Sequence, residues 1–240
     1  MSKNKTAIIL AAGVGSRLKD FTIKPKCLID FGTDVSIIER TYNILKRNKF
    51  KKIIVVTGFK HNEIKSKLKK KVFYKFFKNY EKTNNLQSLL SIKRELNREF
   101  YCFFADLIFD EKILKKLEKR KNNFCMVIDR SKSLKDTMRV KVKGNNLQDI
   151  GSHISPASAD GNFIGMAKFS KKGAIILKKY LIREKKNIKD YYTKAIQNMI
   201  KDRVKVNYLD NNRLFWNEID TKKDYKKFKK MIDSRKIKYV

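Results

Sequence analysis

Four apolar residues, Ala7-Ile8-Ile9-Leu10, run straight into Ala11-Ala12-Gly13-Val14-Gly15-Ser16-Arg17, and Lys24-Pro25-Lys26 follows closely. No other stretch narrows the fold as far. A short buried strand that ends in so small a loop belongs in a sheet whose carboxyl edge faces a ligand. Alanine and glycine let the backbone come close to that ligand, and glycine reaches dihedrals that other residues avoid. Successive backbone N–H groups flanked by two cations, Arg17 and Lys26, suit a polyphosphate. A lone Gly-x-Gly would be explained as well by an ordinary tight turn. Here the small-residue run, Ser16-Arg17 and Lys-Pro-Lys coincide, which favours the phosphate. Two common phosphate loops are excluded. The Gly-x4-Gly-Lys-Ser/Thr spacing is absent, and Leu18 stands where Gly-x-Gly-x-x-Gly needs its third glycine.

Downstream the hydrophobic rhythm alternates. Apolar, partly β-branched runs at residues 6–10, 52–57, 72–76, 101–105 and 124–128 predict strands. Amphipathic patterns at 36–48, 62–70, 85–96 and 110–120 predict the helices between them. This order predicts an α/β fold: a mostly parallel, doubly wound, Rossmann-like sheet with helices on both faces. The first loop, Gly58 and Asp106 all follow strand ends, so they converge on one crevice. After residue 130 the rhythm changes. Residues 138–142 and 147–150 flank Lys143-Gly144-Asn145-Asn146 as a hairpin. A polar loop at 152–160 leads to a strand at 161–169 and helices at 171–183 and 188–201. Short strands at 204–208 and 214–219 and a closing helix at 221–232 complete a small mixed β extension. Without a visible linker or repeat, residues 1–240 read as one domain.

The 42% hydrophobic content is enough for a sizeable core. No apolar run approaches the roughly 20 residues that cross a bilayer. Met1-Ser2-Lys3-Asn4-Lys5 carries no cleavage-site pattern, so a cytoplasmic location is expected. Cys27, Cys102 and Cys125 are odd in number and widely spaced, which argues against disulfides or zinc. A net charge of +35 points first to nucleic acid or an anionic membrane. Its distribution is blander, with lysine in nearly every segment and the runs at 67–71 and 222–230 reading as solvated helix faces. No RNP-like or KH-like motif is visible. No specific nucleic-acid partner is therefore expected, and a weak attraction to anionic membrane surfaces is a secondary implication. Monomer and homodimer both stay open.

The segments Leu10-Ala11-Ala12-Gly13-Val14-Gly15-Ser16-Arg17-Leu18 and Lys24-Pro25-Lys26-Cys27-Leu28-Ile29 resemble the first motif of the nucleotidyltransferase superfamily that makes nucleotide-sugars and CDP-alcohols. The resemblance implies that Leu10, Ala11, Ala12, Gly13, Gly15 and Ser16 wrap a nucleoside triphosphate. It implies two catalytic residues: Arg17, which holds the β- and γ-phosphates, and Lys26, which stabilises charge at the reacting α-phosphorus. It covers essentially the whole chain. It implies a nucleotide-binding half, residues 1–130, and a half that binds the acceptor and completes the metal site, residues 131–240.

Asp106 follows a strand of apolar residues, and Asp220 follows Leu214-Phe215-Trp216-Asn217-Glu218-Ile219. A carboxylate at the end of a buried strand needs a partner. Mg2+ shared with phosphates is a fitting one. Capping the next helix is the alternative for Asp220, as it is for Asp110. The resemblance implies the metal: Asp106 matches the family's metal-binding aspartate, and Asp220 with Glu218 its C-terminal acidic cluster. Ala105 and Asp106 would also line the nucleotide site. Lys82-Thr83-Asn84-Asn85-Leu86-Gln87-Ser88-Leu89 resembles the base-reading segment of cytidylyltransferases for phosphocholine, inositol phosphate and aminoethylphosphonate. Cytosine offers one donor and two acceptors, which Asn84, Asn85, Ser88 or the backbone near Thr57 and Gly58 could meet. Helix N-capping by Asn84 or Asn85 competes with that reading.

Arg130 and Arg139 are candidate clamps for an acceptor phosphate, or ordinary surface arginines. Tyr191, Tyr192, Phe215 and Trp216 could box a quaternary ammonium, though aromatics so spaced are more often core. His153 reads as a surface histidine. The expected reaction moves CMP from CTP to a small phosphorylated alcohol or a phosphonate, with Mg2+. Two readings stand beside it: a hexose-1-phosphate transferase using UTP, dTTP or GTP, and a catalytically inactive nucleotide-binding regulator. Because Lys26 faces a ligand, its removal is expected to leave stability nearly unchanged.

Overall fold

Alternation along β1 (Thr6–Ala11) divides the interior in two. The computed structural model describes residues 4–18, 23–30, 34–131 and 138–233, with side chains undescribed at residues 16, 232 and 233. Met1 to Lys3, on which the reading of the N-terminus partly rests, lie outside them. In chain order the further strands are β2 (Lys52–Thr57), β3 (Phe73–Phe76), β4 (Phe100–Phe104), β5 (Leu107–Phe109) and β6 (Phe124–Asp129). They continue as β7 (Arg139–Lys143), β8 (Asn146–Gly151), β9 (Gly161–Phe169), β10 (Asn207–Asp210) and β11 (Trp216–Glu218). The helices are α1 (Ile37–Arg47), α2 (His61–Leu68), α3 (Asn85–Leu90), α4 (Glu111–Glu118), α5 (Lys171–Arg183), α6 (Thr193–Lys201) and α7 (Lys222–Asp233).

Side chains of a strand alternate between faces. Ile8 and Leu10 of β1, with Ile54 and Val56 of β2, pack against Leu86 of α3, Leu177 of α5 and Ile196 of α6. Ala7 and Ile9, with Ile53 and Val55, pack against Ile38 of α1, Ile64 of α2 and Leu117 of α4. Burying each leucine, isoleucine or valine side chain among them stabilises the fold by about 1.5–3 kcal/mol. A third, smaller cluster joins Leu18, Ile29, Ile37, Ile108, Ile219 and Phe228. It fastens the first loop, the β5–β11 ribbon and α7 to one another.

The main sheet, nine strands among the described residues, has the order β3-β2-β1-β4-β9-β6-β10-β8-β7. β3, β2, β1 and β4 are parallel. β9 is antiparallel to both of its central neighbours, β4 and β6. The expected parallel Rossmann-like pairing therefore holds for β3, β2, β1 and β4, and again for β6 and β10 on the far side of β9. The mixed part is not a small extension, because β9 arrives from the β7–β8 hairpin and enters the middle of the sheet.

Other expectations change locally. α3 stops at Leu90, and bonds from the N–H of Ile92, Lys93 and Glu95 to carbonyls three residues back replace its last turns. The helix expected from 188 starts at Thr193. Before it, the Ile188 and Asp190 carbonyls accept from the N–H groups of Asn84 and Leu86, which ties this segment to α3 instead of coiling it. The strand expected at 204–208 lies at Asn207–Asp210, and β5 was not foreseen. No helix among the described residues is long and apolar enough to cross a membrane.

Candidate active site: a cleft with a lysine between carboxylates

A cleft of about 740 Å³ opens past the carboxyl ends of β1 and β4. Leu10, Ala12, Gly13, Val14, Gly15 and Arg17 line one side, and Thr83, Asn84, Asn85 and Ser88 another. Lys26, Asp106, Glu218 and Asp220 line its charged end. Gly15 has φ +66°, the left-handed region that favours glycine. A Cβ there would lie 3.1 Å from Lys26 Cγ, so the missing side chain lets the lysine stem cross the loop. Pro25 starts the short turn Lys26–Leu28, and burial of Cys27 and Leu28 holds its base. Ser16 opens the turn Ser16–Leu18 that carries Arg17.

The carboxylates come from distant parts of the chain. Asp106 sits between β4 and β5. Antiparallel pairing of β5 with β11 sets Glu218 opposite Leu107, next to Asp106. Asp220 does not cap α7. Thr221 does so: its hydroxyl accepts from Asp224 N at 3.2 Å, while Asp224 Oδ2 accepts from Thr221 N at 2.8 Å. Asp110 caps α4, accepting from Lys112 N at 2.8 Å. Asp220 is left to bond Lys26 Nζ and, at 3.3 Å, Arg17 Nη1. The same lysine nitrogen lies 3.5 Å from Asp106 Oδ2.

Burial opposes the charge on Lys26, yet Asp106 and Asp220 outweigh it and hold the ammonium above its ordinary range. Burial pushes the Asp106 carboxyl up; Lys26 pulls it back and Asp220 adds to the rise. Glu218 is pushed well up by burial and by the charges of Asp106 and Asp220. Negative charge thus exceeds what one lysine and a half-exposed arginine neutralise. That surplus of hard oxygen donors fits a divalent cation such as Mg2+. Among the described residues no three His, Cys, Asp or Glu side chains form a metal cage by themselves. A cation held by Asp106 and Asp220 would take its remaining ligands from phosphate and water, as Mg2+ commonly does.

The remaining expected residues are scattered. Ala11 and Ala105 lie in the core beneath the cleft. Thr57 is fully buried, its hydroxyl 2.7 Å from His61 Nδ1. Gly58 packs under Tyr80 and Ala12 O, where a Cβ would lie 2.5 and 2.7 Å away. Thr57 and Gly58 therefore support the cleft wall and do not line it. Asn84 caps α3 through Asn85 N at 2.9 Å, and Asn85 Oδ1 accepts from Tyr192 N at 2.8 Å.

On the acceptor side, Arg130 is exposed and does not line the cleft. Arg139 is buried, and its guanidinium donates to the carbonyls of Ile154 and, at 2.6 Å, Ser152. It holds the 152–160 loop in place of the expected phosphate. Tyr191 lines the cleft at 38% exposure, whereas Tyr192 is buried against Phe104 and Phe163. Trp216 packs into the core and bonds Asp129, away from the cleft. Phe215 packs under α7. His153 bonds Asp149 at 2.7 Å on the surface. The sequence reading passed over Phe59, Tyr80, Glu81, Phe104, Met138 and Phe163, all on the cleft. The one local hint was Gly58, whose missing Cβ leaves room for the Tyr80 ring.

Residues 7–134 match the family model of the MobA-like NTP transferase domain. A CTP:phosphoglutamine cytidylyltransferase of Campylobacter jejuni is 27% identical over 248 residues, covering 91% of this chain and 96% of that protein. A choline-phosphate cytidylyltransferase of Haemophilus influenzae is 31% identical over 162 residues, covering 65% of this chain and 67% of that protein. The fold is shared with the CTP:phosphocholine cytidylyltransferase of Streptococcus pneumoniae at a TM-score of 0.78. That structure is 23% identical, with 96% of this chain and 100% of that one covered, a likeness of fold alone. The matched span contains the small-residue loop, Lys26 and Asp106, and the chain belongs to the MobA-like NTP transferase family of nucleotidyltransferases.

Proposed function

We propose that this chain is a cytidylyltransferase that moves CMP from CTP to a small phosphorylated alcohol or a phosphonate and releases pyrophosphate. The observation that carries the reading is the Lys26 ammonium between Asp106 and Asp220, at the mouth of a small-residue loop. The names of the two sequence relatives, one for phosphoglutamine and one for choline phosphate, support CTP as donor and a small phosphorylated acceptor.

An acceptor phosphate oxygen attacks the α-phosphorus; the new P–O bond forms as the bond to the β-phosphate oxygen breaks. The nucleophile is already an anion, so no general base is required. The protein's task is to align the two anions and neutralise them. Lys26, kept protonated by its carboxylate neighbours, supplies positive charge at the α-phosphate. Arg17, 52% exposed, can exchange Asp220 for the β- and γ-phosphates. Asp106 and Asp220, with Glu218 beside them, would hold Mg2+, which would supply positive charge to the reacting phosphates. Tyr80, Tyr191, Met138 and Phe163 offer the acceptor's other end an apolar wall.

Pyrophosphate release tests this, with CTP, UTP, dTTP and GTP each offered with phosphocholine, 2-aminoethylphosphonate, phosphoglutamine, glycerol phosphates and hexose-1-phosphates. CTP with a non-hexose acceptor is the expected pair. UTP, dTTP or GTP with a hexose-1-phosphate as the better pair would replace this reading. Tight nucleotide binding without turnover would point to an inactive regulator.

A further inference from the structure

Trp216 stands two residues before Glu218 and is the only tryptophan of the chain. Its indole Nε1 donates to Asp129 Oδ2 at 2.7 Å. Asp129 ends β6 and is 2% exposed. Its other oxygen, Oδ1, accepts from Ser131 N at 2.8 Å and from the Ser131 hydroxyl at 2.6 Å. A buried carboxylate so engaged is a stiff anchor, because losing a donor leaves charge without compensation.

β11 needs an anchor. It has three residues, and its ribbon with β5 is separate from the main sheet. The pairs are Trp216 with Phe109, Asn217 with Ile108 and Glu218 with Leu107. A slip of one residue would turn Glu218 to the opposite face and carry Asp220 about 3.3 Å along the strand. Asn217 Nδ2, between the two outer pairs, is buried without a hydrogen-bond partner among the described residues, so it does not pin the register. Trp216 reaches from this ribbon to the end of a main-sheet strand.

We propose that the Asp129–Trp216 hydrogen bond is a positioning device: it fixes the register of β11 and thereby sets Glu218 and Asp220 against Lys26 and Asp106. The consequence for cation binding rests on the reading of Asp220 as a cation ligand; the register itself does not.

Three variants separate these points. Asp129→Asn keeps the shape and can still accept from Ser131, but turns an amide donor toward the indole N–H. Trp216→Phe keeps a ring and removes the donor. Ser131→Ala removes the hydroxyl donor to Asp129 but leaves the backbone N–H donor of residue 131 and the Trp216 bond. Amide hydrogen exchange at residues 216–220 is expected to speed up in Asp129→Asn and Trp216→Phe, with Ser131→Ala close to wild type. The Mg2+ concentration for half-maximal binding, read by calorimetry in the presence of CTP, is expected to rise about tenfold or more in the first two variants. Their KM for CTP should change little, and the double variant should be no worse than either single one. In Asp129→Asn the lone tryptophan's emission should shift to the red. Should Asp129→Asn fail to fold, Trp216→Phe carries the exchange and Mg2+ measurements. Unchanged exchange at 216–220 in the folded variants would overturn the proposal. Faster exchange in a protein whose wild type binds no divalent cation with CTP would keep the register role and reject the cation reading.

Discussion

Lys26 Nζ lies 3.5 Å from Asp106 Oδ2 and is bonded at the same time to Asp220, so one ammonium closes a gap between two strand ends. Removing it has two consequences. Turnover of Lys26→Ala should fall on the order of a hundredfold or more, as expected for a preorganised charge at a transition state. Stability should fall too, which the sequence alone did not suggest. Breaking a buried pair costs about 3–5 kcal/mol, and this one is partly solvated, so the loss should be smaller. Thermal melts in chelator should show it, and Mg2+ with CTP should recover part of it. Near-normal turnover in the folded variant would reject the assigned role.

Asp106→Asn and Asp220→Asn should each abolish most activity. Each keeps the side chain's shape and removes the charge that a hard cation needs. Acting on one ion, the two losses should not multiply. Rate measurements over a Mg2+ titration on both singles and the double variant check this. Cleanly multiplicative losses would mean that the aspartates serve separate ends.

What could be read from the sequence followed the range of the contacts. The first loop and Lys26 are near neighbours in the chain, so their meeting on one cleft could be read from it. Asp106 was legible because it ends an apolar strand. A strand was expected at 214–219, where β11 lies, but its three-residue partner β5 carries too little periodicity to be recognised. Their pairing, which brings Glu218 beside Asp106, was therefore invisible. The partners of Arg139 and Trp216 were hidden for a related reason. An arginine on a strand end suggests a ligand clamp, and nothing local says that the Ser152 and Ile154 carbonyls will claim it. Nor does anything near Trp216 announce Asp129, 87 positions away. The antiparallel entry of β9 was missed because an apolar run gives a strand's burial but not its direction.

Glu111 ties α4 to the end of α1. It accepts from Arg47 Nη2 at 3.0 Å and Asn48 Nδ2 at 2.9 Å, with Lys115 Nζ at 3.1 Å. Partial burial pushes its carboxyl up, but the hydrogen bonds from Asn48, Arg47 and Lys115 outweigh it and bring it from 4.5 to about 2. The folded protein therefore holds this proton less tightly than the unfolded chain. The stabilisation is complete above about pH 4.5 and fades as pH falls through about 2. Glu111→Gln should lower the melting temperature at neutral pH, and the gap to wild type should narrow steadily below pH 4.5. A gap that stays constant from pH 7 to pH 3 would assign the effect to packing.

The base preference turns on which polar groups of the α3 segment remain free. CTP should exceed UTP by about tenfold or more in kcat/KM, because a site built around the exocyclic amine leaves its acceptor unpaired with uracil. Asn84 and Asn85 looked like the readers of that amine. Asn84 Oδ1 is occupied by Asn85 N, and Asn85 Oδ1 by Tyr192 N. Alanine at either position should therefore lower kcat/KM for CTP and UTP alike, by loosening α3 from the segment before α6. Ser88 lines the cleft at 5% exposure, and its hydroxyl can accept from an amine. Ser88→Ala should move the two nucleotides toward parity while leaving the Mg2+ requirement intact. Parity produced by Asn85→Ala instead, with Ser88→Ala unchanged, would return the base reading to the asparagine. The assignments of Lys26, Asp106 and Asp220 stand apart from that outcome, since they concern the phosphate end of the nucleotide.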